Sequence, residues 1–312
     1  MRKYLRILRV DHWIKQLFIF PGCVFATFLT KWGVDAVFTL SAQRIVTGFL
    51  AACLIASANY AINEYLDAEF DRFHPTKKYR PAVAEGVRGS AVFALWAALT
   101  VAGLFLASLL GRAFLFTAAW LWGMGIVYNV KPFRTKDIPV VDVLSESVNN
   151  AIRLLMGWFL VSWNTLPPCS IILGYWMGGA FLMATKRFAE YRMIGDPVLA
   201  GSYRRSFRFY TEKSLLISAF VYAMISVFFT GIFLIKYRIE YVLFVPTLIG
   251  LFAYYFWLAF QEDSAAQKPE KLYHEKGLML YCAVLIAWIA ILTVADIPAL
   301  SFLISEQLIR IG

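Results

Sequence analysis

Acid, base, thiol and imidazole are all scarce in this chain. Only 16% of its 312 residues are charged, and it has three histidines and four cysteines. A water-exposed globular surface needs more charge than that, so an ordinary soluble domain is excluded. The cysteines, Cys23, Cys53, Cys169 and Cys282, stand singly within apolar segments, without disulfide or metal spacing. They read as plain buried thiols. No Gly-rich nucleotide loop follows a strand pattern, and HExxH and GxSxG do not occur, so the familiar soluble active sites are missing.

Apolar sequence is what the chain has in quantity: 60% of it is hydrophobic and 17% aromatic. Long apolar stretches recur, which predicts an all-α polytopic membrane protein. About nine spans are expected, at 17–31, 42–64, 89–110, 112–128, 140–162, 168–187, 214–235, 240–260 and 277–295. No removable signal peptide is expected, because no small-residue cleavage site accompanies the first stretch. Ahead of it, Arg2, Arg6 and Arg9 recur at helical spacing opposite Leu5 and Leu8. Residues 1–15 are therefore expected to form an amphipathic interfacial helix. The rest of residues 1–312 reads as one membrane domain. Loops on the amino-terminal side carry 23 Lys and Arg against six on the other side, with Arg153 inside a span. This excess predicts a cytoplasmic amino terminus. The net charge of +10 suits anionic lipid and loop topology, and no nucleic-acid partner is expected.

The chemistry concentrates in a few polar stretches. In NYAINEYLDAEFDRFHPTKKYRPAVAEG (59–86), Asn59, Asn63, Asp67 and Asp71 recur every four residues, on one helix face. His74, Lys77, Lys78 and Arg80 follow. Carboxylates followed closely by cations are the pieces that hold magnesium and the phosphates it bridges. The plainer alternative is a solvated loop behind a charged helix end. The fifth span repeats the pattern, with Asp142, Glu146, Asn149 and Arg153 on one face. Facing lipid, each charge would cost about 2.5–3.5 kcal/mol, so the stripe must face a cavity or neighbouring helices. One alternative is an internal Glu146–Arg153 pair that only locks packing. The sixth span ends with Lys186 and Arg187 beside a lone Glu190, all expected at the cavity mouth and in contact with substrate. Arg204 to Lys213 read instead as topological charges, and the role of Lys131, Arg134 and Lys136 is left open.

These residues resemble the UbiA superfamily of intramembrane prenyltransferases. Its first signature, an Asn-Asp-x-x-Asp-x-x-x-Asp run, stands here as Asn63, Glu64, Asp67 and Asp71. DHWIKQLFIFP, DAEFDRFHPTKKYRP and KRFAEYR look like the polyprenyl-phosphate phosphoribosyltransferase branch, typified by decaprenyl-phosphate enzymes of arabinan biosynthesis. Val10 and Gln16 depart from that branch's Pro and Asn. The resemblance implies a helical bundle around a central cavity in a bacterial-type inner membrane, serving cell-envelope biosynthesis. It implies phosphoribosyl diphosphate as donor, a polyprenyl phosphate as acceptor and Mg2+ as cofactor. Asp67 and Asp71, with Asn63, would hold the metal. Lys77, Lys78 and Arg80 would neutralise donor phosphate, and Lys186, Arg187 and Lys15 would hold the lipid phosphate. Two alternatives remain. One is prenyl transfer to an aromatic or other small acceptor, although the second Asp-rich run of prenyl-diphosphate enzymes is absent. The other is a transporter, although the polar residues cluster at one end of the spans.

Overall fold

The computed structural model describes residues 2–31, 42–261, 266, 272 and 274–304. Lys268, Lys271 and Arg310 of the charge count lie outside them. Twelve helices carry the described chain: α1 (Arg2–Ile7), α2 (Phe20–Lys31), α3 (Ala42–Asp71), α4 (Pro81–Ala84), α5 (Gly89–Ser108) and α6 (Arg112–Asn129), then α7 (Val141–Val161), α8 (Cys169–Ile194), α9 (Pro197–Tyr203), α10 (Glu212–Tyr237), α11 (Phe244–Ala259) and α12 (Lys276–Val294). Among the described residues there is no strand. The chain is all-α, as expected.

Six helical stretches are long and apolar enough to cross a membrane: Lys3–Leu29, Ala42–Asp71, Gly89–Ser108, Glu212–Tyr237, Ile239–Leu258 and Lys276–Val294. The helices α6, α7 and α8 coincide with the fourth, fifth and sixth expected spans but are not among those six. In α7 and α8 the polar stripes interrupt the apolar sequence, and both helices are extensively buried by their neighbours.

The head of the chain differs from expectation. Helix α1 stops at Ile7, Arg9 takes a left-handed backbone (φ 49°), and a 3-10 run covers Val10–Ile19. The break follows from ties to α3. Arg9 Nε reaches Glu64 Oε2 at 3.2 Å, Trp13 Nε1 donates to Ser57 Oγ, and Ser57 Oγ donates to Leu8 O. Residues 1–15 are thus two pieces held against α3, with only Arg2–Ile7 as α-helix. The cysteines also need a correction: Cys23 and Cys53 are buried, but Cys169 is exposed.

Packing is closest where α2 crosses α7. A Cβ on Gly22 would lie 2.0 Å from Leu154 O, and one on Gly157 would lie 1.9 Å from Ile19 O. Small residues on both helices let the backbones touch, the usual device for packing helices in lipid. This crossing anchors the 3-10 run beside the polar face of α7.

Candidate active site

A cavity of ≈ 1490 Å³ is lined from α3, α6, α7, α8 and the 3-10 run at its polar end, and by α2, α10, α11 and α12 in its apolar part. Asn63, Asp67, Asp71, His74, Lys77, Arg80, Lys15, Glu146, Asn149, Arg153, Lys186, Arg187 and Glu190 all lie on its wall. Lys78 does not. It is exposed, with its ammonium 5.2 Å from the centroid of Tyr79, because the short 3-10 turn at Lys77–Tyr79 sends neighbouring side chains in different directions.

Each acidic residue of α3 has a cation partner. Asp67 Oδ1 accepts from Lys136 Nζ at 2.5 Å and Arg134 Nη2 at 3.0 Å, while its Oδ2 accepts from Asn63 Nδ2 at 3.1 Å. Asp71 Oδ2 accepts from Arg80 Nη1 at 2.5 Å. The α6–α7 loop, whose role the sequence left open, therefore supplies two buried cations to the metal motif. Burial pushes the Lys136 ammonium down to about 8, against the pull of Asp67. Asn129 completes the group, accepting from Asn63 and Lys136 at 2.5 and 2.8 Å.

Around Glu190 the arrangement is closed. Its carboxylate accepts from Lys77 Nζ at 2.5 Å, Tyr203 OH at 3.1 Å, His74 Nε2 at 3.2 Å and Arg187 Nη1 at 3.3 Å. The backbone N–H groups of Thr76 and Lys77 donate to His74 Nδ1, both at 3.2 Å, which leaves Nε2 to carry the proton toward Glu190. Burial lowers the His74 pKa despite Glu190, so the ring is a neutral positioning group. Protein donors surround the Glu190 carboxylate on the cavity wall, an engagement with the fold that the sequence did not indicate.

Arg187 also departs from expectation. It is fully buried, 2.7 Å from Glu146, 3.3 Å from Glu190 and 3.6 Å from Asp142. Three carboxylates use up its charge, leaving little to attract a lipid phosphate. The Glu146–Arg153 pair does not form. Glu146 accepts from Arg187 and from Tyr128 OH at 2.6 Å, whereas Arg153 donates to Gln16 Oε1 at 2.9 Å and Asn150 Oδ1 at 3.1 Å. Arg204, read as topological, lines the cavity, 3.3 Å from Tyr128 OH and 3.4 Å from Asp142. Its neighbours Arg205 and Arg208 are exposed and off the wall. Lys186 is half-buried on the wall and makes no ion pair among the described residues.

Asn63, Asp67 and Asp71 offer only hard oxygens, and the cations engage one oxygen of each carboxylate, leaving Asp67 Oδ2 and Asp71 Oδ1. Magnesium takes one or two carboxylates and completes its shell with phosphate and water. The set fits an ion shared with a bound diphosphate. Among the described residues no three His, Cys, Asp or Glu converge as an all-protein cage.

A helical bundle with carboxylates and buried cations on the wall of a largely apolar cavity defines the class, an integral membrane protein with a polar site inside its helices. The chain belongs to the UbiA prenyltransferase family, whose model matches residues 19–281. It is similar to a decaprenyl-phosphate phosphoribosyltransferase of Mycolicibacterium smegmatis, 28% identical over 68% of this chain and 63% of that one. A protein of the same name from Corynebacterium glutamicum is 27% identical over 68% of this chain and 60% of its own length. These matches span less than two thirds of both relatives. In structure the chain is similar to a UbiA homolog from Archaeoglobus fulgidus bound to GPP and Mg2+ (TM-score 0.69, 21% identity, 94% of this chain and 100% of that one). That likeness speaks for the fold.

Proposed function

We propose that residues 1–312 form one Mg2+-dependent membrane transferase. It moves the 5-phosphoribosyl group from phosphoribosyl diphosphate to a polyprenyl phosphate and releases diphosphate. Its helices make about nine spans around the cavity in a bacterial-type inner membrane, with the amino terminus and the polar cavity end cytoplasmic. The positive excess in the amino-terminal-side loops supports that orientation.

One observation carries the donor reading. At the end of α8, where prenyl-diphosphate enzymes of this superfamily have a second acidic run, the lone Glu190 is filled by Lys77, His74, Tyr203 and Arg187. A single carboxylate group, on α3, is left to share a metal with one diphosphate. The names of the two phosphoribosyltransferase relatives support the same reading.

Asp67 and Asp71, with Asn63, would hold magnesium, which when bound would supply charge neutralisation to a departing diphosphate. Lys136 and Arg134 fix Asp67 in place, and Arg80 fixes Asp71. Lys77 and Arg80 add positive charge at the same end of the cavity. The acceptor phosphate is already anionic near neutral pH, so no strong general base is required. One of its oxygens forms the new bond to ribose C1 as the C1–O bond to diphosphate breaks. Lys186, unpaired on the wall, and Lys15 attract that phosphate, while the apolar part of the cavity takes the chain. Catalysis rests on positioning and charge stabilisation.

The test is incubation of the purified chain with radiolabelled phosphoribosyl diphosphate and a short polyprenyl phosphate. Label is expected in the lipid extract, dependent on Mg2+. Label appearing only with a prenyl diphosphate and an aromatic acceptor would replace this reading with prenyl transfer.

A further inference from the structure

Below the ion-paired end of the cavity stands a second cationic group that the charge network leaves out. Arg153 is 9% exposed and lines the cavity, yet it donates to two neutral amide oxygens, Gln16 Oε1 and Asn150 Oδ1. Among the described residues it makes no ion pair. A guanidinium has five N–H donors, and a buried one is ordinarily matched to an anion. Here Glu146 and Asp142, on the same helix face, are both taken by Arg187.

A second observation is independent of the charge count. Gln16 is fully buried, and while its Oε1 accepts from Arg153, its Nε2 has no hydrogen-bond partner. An unmatched buried amide N–H is costly, and native structures rarely leave one idle. Arg153 thus presents unused donors on the cavity wall, held by a Gln16 whose own amide N–H is left idle. The guanidinium there calls for an acceptor rich in oxygen.

We propose that Arg153, held in place by Gln16, forms an anion subsite for the phosphate of the lipid acceptor. This rests on the transferase reading above and assigns the acceptor's place within it. Arg153 follows Glu146 by seven residues, so it lies about 10 Å further along α7 from the ion-paired end. Ile14, Leu17 and Phe18, on the same 3-10 run as Gln16, line the cavity and are themselves exposed. A phosphate held at Arg153 therefore meets an apolar wall open to lipid, as a phosphomonoester on a hydrocarbon chain requires. The donor's 5-phosphate is the same chemical group on a polar molecule, and it would gain nothing from that wall.

The informative variant is Gln16→Glu. It keeps the acceptor oxygen for Arg153, removes the idle donor and places a carboxylate against the guanidinium, filling the subsite from within. The full-length protein is studied in detergent, with thermal shifts read for farnesyl phosphate, inorganic phosphate and phosphoribosyl diphosphate. Farnesyl phosphate is expected to stabilise the wild type, and about tenfold more of it should be needed for the same shift in Gln16→Glu. The response to phosphoribosyl diphosphate should stay within about twofold, and the unliganded Tm should not fall. Arg153→Lys, which keeps charge but loses the planar fork, should weaken farnesyl phosphate to an intermediate degree. Loss of the phosphoribosyl diphosphate response instead would overturn the assignment in favour of the donor. An equal loss with inorganic phosphate and no preference for the lipid would overturn it in favour of a free-anion site. Unchanged farnesyl phosphate binding in Gln16→Glu would leave Arg153 a packing residue and end the proposal. Failure of the transferase reading shows separately, as absence of label transfer by the wild type, while these binding shifts stay readable.

Discussion

Arg187 Nη2 lies 2.7 Å from Glu146 Oε2, and the same guanidinium draws in Glu190 and Asp142. One buried cation thus ties two carboxylates of α7 to a third on its own helix α8, at the mouth of the cavity. Its role is to hold the wall together.

The first prediction follows from that geometry. Arg187→Ala leaves three carboxylates short of their shared cation, a loss of roughly 3–5 kcal/mol for a buried pair broken on one side. The variant should show a sharply lower Tm in detergent, and Glu146→Gln a smaller fall. A stable Arg187→Ala protein with only a raised KM for the lipid would restore Arg187 to substrate binding.

The all-α class and the polar faces of α3 and α7 were readable in the sequence, because a period near 3.6 and long apolar runs report directly on local structure. Pairings between distant segments were not. Nothing local in YNVKPFRTKDIP says that Arg134 and Lys136 reach Asp67, nor in SYRRSFRFY that Arg204, and not Arg205, turns inward. At Arg187 and Glu190, whose types suggested substrate contact, the protein partners that tertiary packing supplies were equally invisible in the sequence. Gln16 offered no signal beyond its departure from the branch pattern. Its significance depends on a helix more than a hundred residues away.

A second prediction concerns the metal motif. Asp67→Asn should abolish Mg2+-dependent transfer, because Asp67 Oδ2 is one of the two carboxylate oxygens left by the cations. The variant also leaves Lys136 and Arg134 with a weaker partner, so some loss of Tm is expected alongside. The separating measurement is turnover per folded molecule against Mg2+ concentration. Near wild-type turnover at low Mg2+ would remove Asp67 from the metal site.

The third prediction is structural. In Gly157→Ala the new methyl meets the backbone at Ile19, the last residue of the 3-10 run before α2, where no flexible side chain can yield. Overpacking of this kind costs about 1–3 kcal/mol. Tm should fall while the KM values for both substrates stay nearly constant. A changed acceptor KM with unchanged Tm would mean that the crossing shapes the site instead of supporting it.

The fourth prediction is a pH dependence. Burial, opposed by Glu190, pushes Lys77 down to about 8 from 10.5, and Lys136 falls likewise to about 8. The folded state therefore binds fewer protons than the unfolded chain between about 8 and 10.5. In that window these two groups make stability rise with pH, and below it they carry a burial penalty. Donor binding runs the other way, since positive charge is lost above about 8. Titration from pH 7 to 9.5 should show Tm contributions and donor affinity moving in opposite directions. Lys77→Arg, charged throughout, should soften the fall in affinity. An identical fall in that variant would exclude Lys77 as its source.

The last prediction separates the two ends of the basic cavity wall. Lys77 is engaged by Glu190 and Arg80 by Asp71, so both belong to the carboxylate end where a metal-bridged diphosphate is proposed. Lys186, like Arg153, lines the wall and pairs with no carboxylate among the described residues, and it has no load in the fold comparable to that of Arg187. A cation at a phosphate subsite contributes mainly to binding, so its loss appears in KM. Lys186→Ala should therefore leave Tm nearly unchanged and raise the lipid acceptor's KM about tenfold, with the donor's KM within about twofold. Lys77→Ala should chiefly raise the donor's KM and also lower Tm, since it strips Glu190 of one donor. Steady-state kinetics with each substrate varied in turn, alongside thermal unfolding of the same preparations, gives all the required values. Should Lys186→Ala shift only the donor's KM, the two phosphate subsites are exchanged. Lys186 then serves the diphosphate, while Arg153 and Lys15 remain for the lipid.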